Sequence, residues 1–147
     1  MNRRRLLLAL APCLLGLPAA AQEADYKLIV NAANPVVQMK REQVTALFMT
    51  RGAKWAHGPA GSAVDQSMTS PVRKAFSQEV LGQPPEGVQN YWRKRMLEAR
   101  EFPPAVKASD AEVIASVGKD PGGIGYVSAA TELPATVKAV KIADPIK

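Results

Sequence analysis

The first 21 residues decide how much chain is left to fold. Arg3, Arg4 and Arg5 make a positive start, Leu6 to Leu17 is an apolar run, and Ala19-Ala20-Ala21 supplies the small residues behind which a signal peptidase cuts. As a helix the apolar run would reach about 18 Å, against a hydrocarbon core of about 30 Å. The pattern is that of a cleaved export signal over residues 1–21, with an uncleaved membrane anchor as the alternative. Arg3-Arg4-Arg5-Leu6-Leu7 also resembles a twin-arginine signal, and the residues do not separate that route from general secretion. The expectation is cleavage after Ala21 and a single domain over residues 22–147.

Cys13 lies within the leader, and Pro12 stands where a lipoprotein needs a small residue. The remaining 126 residues are therefore free of cysteine, which excludes disulfides, thiolate metal sites and a cysteine nucleophile. The whole chain has 19 Lys+Arg and 13 Asp+Glu; taking away the leader's three arginines leaves 16 against 13, a balance of +3. So small a surplus is no nucleic-acid footprint, and no nucleic-acid partner is expected. A segment of this length can bury one core but is too short for two lobes of ordinary size.

Strand and helix patterns interleave along it. Tyr26 to Asn31 and Ile124 to Val127 are β-branched and aromatic, Ser62 to Gln66 is a shorter candidate, and Val137 to Ile142 alternates as an edge strand would. Val44, Leu47 and Phe48 put an apolar face on a helix over Lys40 to Met49, which Gly52 would end. Ser70-Pro71 opens a second helix with the stripe Val72, Ala75, Phe76 and Val80, closed by Gly82. Pro84-Pro85 breaks the chain before a third helix, about Gly87 to Arg100, striped by Val88, Tyr91, Trp92 and Met96. Phe102-Pro103-Pro104 is a rigid linker, and Ser109-Asp110-Ala111-Glu112 is a capping box before Val113, Ile114 and Val117, with Gly118 as the stop. This interleaving argues for an α/β layer structure.

Three stretches carry a resemblance. Val44 to Trp55, Val-Thr-Ala-Leu-Phe-Met-Thr-Arg-Gly-Ala-Lys-Trp, resembles the "IFLGK…W" helix and loop of phosphate-type periplasmic solute-binding proteins of ABC transporters. Asn90-Tyr91-Trp92, following Ser70 to Gly82, is similar to the helical middle of the same domain, and Pro121-Gly122-Gly123-Ile124-Gly125-Tyr126-Val127 resembles its "PGAIGYV" turn and strand. Order and spacing agree over about 100 residues, and the last stretch is the most specific. The resemblance implies a type II periplasmic-binding-protein fold, here as a three-layer single lobe with a mixed sheet flanked by helices. It also implies phosphate or another small oxyanion as ligand and an ABC permease as partner. The leader points to the periplasm, and the single lobe and basic third helix leave another periplasmic or membrane protein as the alternative partner.

Two departures from the family shape the functional expectation. The family closes two lobes on its anion, and here there is room for one. It also carries an arginine followed by a Gly-Ser-Gly-Thr loop that cradles phosphate at a helix start, where this chain reads Val64-Asp65-Gln66-Ser67-Met68-Thr69-Ser70-Pro71. The glycines are gone, and Asp65 or Gln66 stands near the arginine's place. A remnant site would use the hydroxyls of Ser67, Thr69 and Ser70 at the helix N-terminus, with Arg73 as a fork donor. The alternative is an ordinary serine cap beside a solvated arginine.

Other residues admit plainer readings. His57, the one histidine, sits beside Gly58 and Pro59 in a loop with no partners for a metal, so no metal site is expected. Tyr91 and Trp92 belong to a helix stripe and read as core, whereas Trp55 lies outside the helix and is open to either reading. Arg93-Lys94-Arg95 with Arg100 is a solvated face or a dock for an acidic partner. No Gly-x-Ser-x-Gly elbow, phosphate-binding P-loop or dinucleotide fingerprint is present, so catalytic residues and cofactors are not expected. Two functional readings follow: an exported solute-binding relative that takes a small oxyanion weakly, or an interaction module that has kept the fold and lost tight binding.

Overall fold

Apolar residues on both sides of the central strands call for a covered sheet, and that is what the computed structural model contains. It describes residues 25–143; the leader, its cleavage site and Cys13 lie outside the described residues. Strand β1, Tyr26–Asn31, turns Leu28 and Val30 to one face and Ile29 to the other. The remaining strands are β2 (Gln38–Lys40), β3 (Ser62–Gln66), β4 (Ala105–Lys107), β5 (Gly123–Ser128) and β6 (Val137–Ala143). They form one sheet in the order β2-β6-β1-β5-β3-β4. β1 runs antiparallel to β5 and β6, while β2 on β6 and β3 on both β4 and β5 are parallel, so the sheet is mixed as expected.

Helices cover both faces and complete three layers. Val44, Leu47 and Phe48 of α1 (Arg41–Met49) and Phe76 of α2 (Pro71–Phe76) pack on Leu28, Val30, Ile124, Tyr126 and Val140. On the opposite face, Val113 and Val117 of α4 (Asp110–Lys119) pack on Ile29, Val64, Val127 and Val137. The amide of Asn31 donates to the Val117 and Gly118 carbonyls at 3.1 Å each, satisfying acceptors that the end of α4 leaves open. Helix α3 (Pro85–Ala99) buries Val88 and Trp92, and the Tyr91 hydroxyl donates to the Met49 carbonyl at 2.6 Å, tying α3 to the end of α1.

Several boundaries differ from the sequence reading. β6 is not an edge strand, because the three-residue β2 pairs outside it. β2 and β4 are too short to show a period. α3 starts at Pro85, which takes a first-turn position where its missing N–H costs nothing. The second helix passes into a π turn at Ser77–Leu81, whose Val80 carbonyl accepts from the Thr45 hydroxyl at 3.0 Å, before Gly82 ends it at φ 72°. α4 runs one residue past Gly118 to Lys119. At its start the Ser109 hydroxyl accepts from the Glu112 N–H, but the Glu112 carboxylate reaches the N–H of Ala108 rather than that of Ser109. Met96, expected on the stripe, is 41% exposed.

The turn into β5 explains one of its glycines. A Cβ on Gly122 would lie 2.1 Å from the Ala60 carbonyl oxygen. The Gly122 carbonyl meanwhile accepts both from the Ser62 N–H and from the Trp55 indole at 2.9 Å. That bond and its burial make Trp55 a core residue. Gly122→Ala is expected to cost about 1–3 kcal/mol in a urea unfolding curve, since backbone must move to admit the methyl. An unchanged midpoint would mean that the two loops stand farther apart.

Candidate functional site

The candidate loop leaves the end of β3 and enters α2. Pro71 at the first helical position and Ser70 before it make the helix start, and the Ser70 hydroxyl accepts from the Arg73 N–H at 3.2 Å. Ser67 and Thr69 bring their hydroxyls within 3.2 Å of each other on the outer side of the loop. The Ser67 N–H is held by the Lys107 carbonyl at 3.1 Å, which fixes the loop to β4. Ser67 and Thr69 are thus brought together, whereas the Ser70 hydroxyl serves as the ordinary helix cap that the sequence offered as the alternative, accepting from the Arg73 N–H and donating to Gln66 Oε1.

Arg73 is placed differently. It is 5% exposed, which rules out a solvated arginine. Its guanidinium turns inward, with one nitrogen 3.2 Å from Asp65 Oδ2 and the other donating to the Gln66 carbonyl at 2.6 Å. The fork expected to face a ligand is engaged with β3 instead. Asp65 is equally occupied: its Oδ1 accepts from the Gln66 N–H at 2.9 Å and makes a short contact with the Tyr126 hydroxyl. The charge of Asp65 is therefore balanced inside the protein rather than presented to an approaching anion.

Gln66 is a hub. Its amide nitrogen donates to Asp110 Oδ1 at 2.9 Å and to the Tyr126 carbonyl at 2.8 Å, and its amide oxygen accepts from the Ser70 hydroxyl at 2.8 Å. Asp110, at the start of α4, also accepts from the Ser128 N–H and from the Thr131 hydroxyl. The starts of α2 and α4 are thus bridged by a glutamine and a carboxylate of the chain itself, and Asp110 brings to the start of α4 the negative charge that such an end favours. Asp65, Gln66, Asp110 and Tyr126 escaped the sequence reading as a network because their contacts join residues 44 to 61 positions apart.

Tyr126 carries the electrostatic signature of this network. Burial, then the negative charge of Asp65, then the hydrogen bond to Asp65 push its phenol well above the ordinary tyrosine range. The folded chain keeps a proton that the unfolded chain releases near pH 10. This contribution to stability is complete below about pH 10 and declines as the pH rises towards the folded value. Urea unfolding at pH 8 and above 10 should show stability falling on the alkaline side. Tyr126→Phe should flatten that fall, and an identical slope in the variant would contradict the assignment.

The remaining candidates take plain roles. His57 is exposed in its loop, with its ring 5.8 Å from that of Trp55, and among the described residues no group of three or more His, Cys, Asp or Glu gathers to hold a metal. In the basic run, Lys94 pairs with Glu98 on the exposed face of α3, and Arg95 reaches the half-buried Glu101 just past the helix at 2.5 Å. No helix of the described residues is long and apolar enough to cross a membrane.

No family model matches the sequence, and no curated protein matches it. Solved structures do. An ABC-type phosphate transport receptor from Vibrio cholerae superposes with a TM-score of 0.62 at 20% identity, over 83% of this chain and 48% of the receptor. A phosphate ABC transporter substrate-binding protein with bound phosphate from Clostridium perfringens gives 0.62 at 21%, over 80% and 44%. PstS from Borrelia burgdorferi gives 0.60 at 13%, over 80% and 47%. The chain therefore has the fold of part of these binding proteins, as the sequence resemblance implied, and spans less than half the length of each.

Proposed function

We propose that this protein is an exported, non-enzymatic relative of phosphate-type solute-binding proteins, a single periplasmic lobe over residues 22–147 that holds phosphate or another small oxyanion weakly. The anion sits on the loop at the hydroxyls of Ser67 and Thr69, with Ser70 capping the helix behind them and Arg73 beneath as a charge already matched by Asp65. The observation that carries this reading is the superposition on phosphate-binding structures, together with a loop at the start of α2 whose outer hydroxyls are open to solvent. Weakness follows from Arg73, whose guanidinium is committed to Asp65 and Gln66. An exposed site on one lobe is also strongly screened by salt.

Calorimetric titration with phosphate at low ionic strength tests it. A dissociation constant in the millimolar range, worth about 4 kcal/mol, is expected, with further weakening when salt is added. Micromolar affinity would overturn the assignment of a spent arginine. Absence of heat up to tens of millimolar phosphate would favour the second reading, an interaction module that meets an ABC permease or another periplasmic or membrane protein. A specific observation supports that alternative: Met96, Leu97, Phe102 and Val106 are exposed apolar residues on and just after the basic helix α3.

A further inference from the structure

A cavity of about 300 Å³ opens between α3 and the segment leading into β4, on the side of the Asp65–Arg73 pair that faces α3. Its walls are apolar, formed mainly by Met68, Trp92, Met96 and Val106, and its lining includes Arg73 and Arg93. Two buried donors among these residues have no partner: the indole N–H of Trp92 and the Nε–H of Arg73. Both residues are 5% exposed. A buried donor without an acceptor is rare enough in a folded protein to need an explanation.

The unmet groups here are all donors. Asp65, the one carboxylate in the lining, already has the Arg73 guanidinium, the Gln66 N–H and the Tyr126 hydroxyl. The fixed charges of the lining are Asp65, Arg73 and Arg93; the first two cancel, and Arg93 leaves one positive charge. An occupant that completes this site must therefore bring acceptors and negative charge at one end and an apolar body at the other. We propose that the cavity binds a small monocarboxylate with an aromatic or short aliphatic body. Its carboxylate accepts from Trp92 Nε1 and Arg73 Nε, and its body lies among Met68, Met96 and Val106. Both N–H groups are closed to bulk water, so the unbranched methionine side chains give way as the head group enters. The cavity adjoins the anion loop and shares Met68 and Arg73 with it, but it takes its ligand through Trp92 Nε1 and Arg73 Nε rather than through the loop hydroxyls.

The two tryptophans make the test direct, because each gives one indole N–H signal in a proton–nitrogen correlation spectrum. The Trp55 indole is already bonded to the Gly122 carbonyl and serves as the internal reference. Phenylacetate titrated into the labelled protein should move the Trp92 indole signal downfield and saturate it below about 10 mM, leaving Trp55 in place. The alcohol 2-phenylethanol, with the same body and no charge, should bind at least tenfold more weakly. Trp92→Phe, which keeps a ring and removes the donor, should bring phenylacetate down towards the level of the alcohol. Phosphate should leave the Trp92 signal unmoved, so failure here and failure of the anion loop are read separately. An unmoved Trp92 signal at 10 mM phenylacetate, equal shifts of both indoles, or equal binding of acid and alcohol would each overturn the proposal, the first leaving a trapped water as the donors' partner.

Discussion

Asp65→Ala should destabilise the protein by about 3–5 kcal/mol, the largest loss expected from removing a polar group. Asp65 and Arg73 are each 5% exposed, and the carboxylate stands 3.2 Å from the guanidinium. Removing the acid leaves a buried positive charge whose other bond, to the Gln66 carbonyl, cannot neutralise it. It also deprives the Tyr126 hydroxyl of its acceptor. The double change Asp65→Leu with Arg73→Met removes both charges, and its cost should fall well short of the sum of the two single losses. Urea unfolding of the four proteins completes the cycle. A loss below about 1 kcal/mol for Asp65→Ala would mean that Arg73 reaches water and that its burial in this network is wrong.

Phe76→Ala should cost a similar amount, about 3–5 kcal/mol, through packing instead of charge. Phe76 is fully buried at the junction of α2 with the sheet. Its ring stacks on Tyr126 at 4.0 Å between centroids, lies 4.9 Å from Phe48 and meets Tyr26 edge-on at 5.5 Å. Truncation opens a void under three rings that α1, β1 and β5 hold apart, so little collapse is available to fill it. The near-ultraviolet dichroism of the tyrosines should weaken in the same variant. Leu97→Ala, at a residue 79% exposed, is the matched control and should stay within about 0.5 kcal/mol of the parent.

What could be read from the sequence was what repeats. β1 and β5 are apolar at consecutive positions because helices cover both faces, and that density of β-branched and aromatic residues is visible without coordinates. α1 and α4 carry a 3.6-residue stripe, and Ser70-Pro71 states its own helix start. β2 and β4, at three residues each, hold too little chain for any period to appear, and without β2 the strand β6 reads as an edge. The π turn at Ser77–Leu81 leaves no mark on the stripe, since Phe76 and Val80 stay buried through it.

The candidate site was legible only in its local half. Ser67, Thr69 and Ser70 are adjacent in sequence, so their clustering needs no tertiary knowledge. The fate of Arg73 depends on which way its side chain turns, and that is decided by Asp65 eight residues earlier and Tyr126 on another strand. Val64-Asp65-Gln66 looks like a polar strand end when read alone. Only the sheet order, with β3 beside β5, reveals that Asp65 and Gln66 are buried against Tyr126. The same blindness hid Asp110, whose carboxylate looked like part of a capping box and instead bridges Gln66, Ser128 and Thr131.

The proposed anion site at the start of α2 is weak and hydroxyl-lined, because Arg73 is committed to Asp65 and Gln66. Amide chemical-shift mapping during a phosphate titration at low salt tests it most directly. The account predicts shifts concentrated at residues 67 to 73, saturating with a millimolar dissociation constant and fading as salt is raised. Silence at those residues in tens of millimolar phosphate, or saturation in the micromolar range, would contradict it.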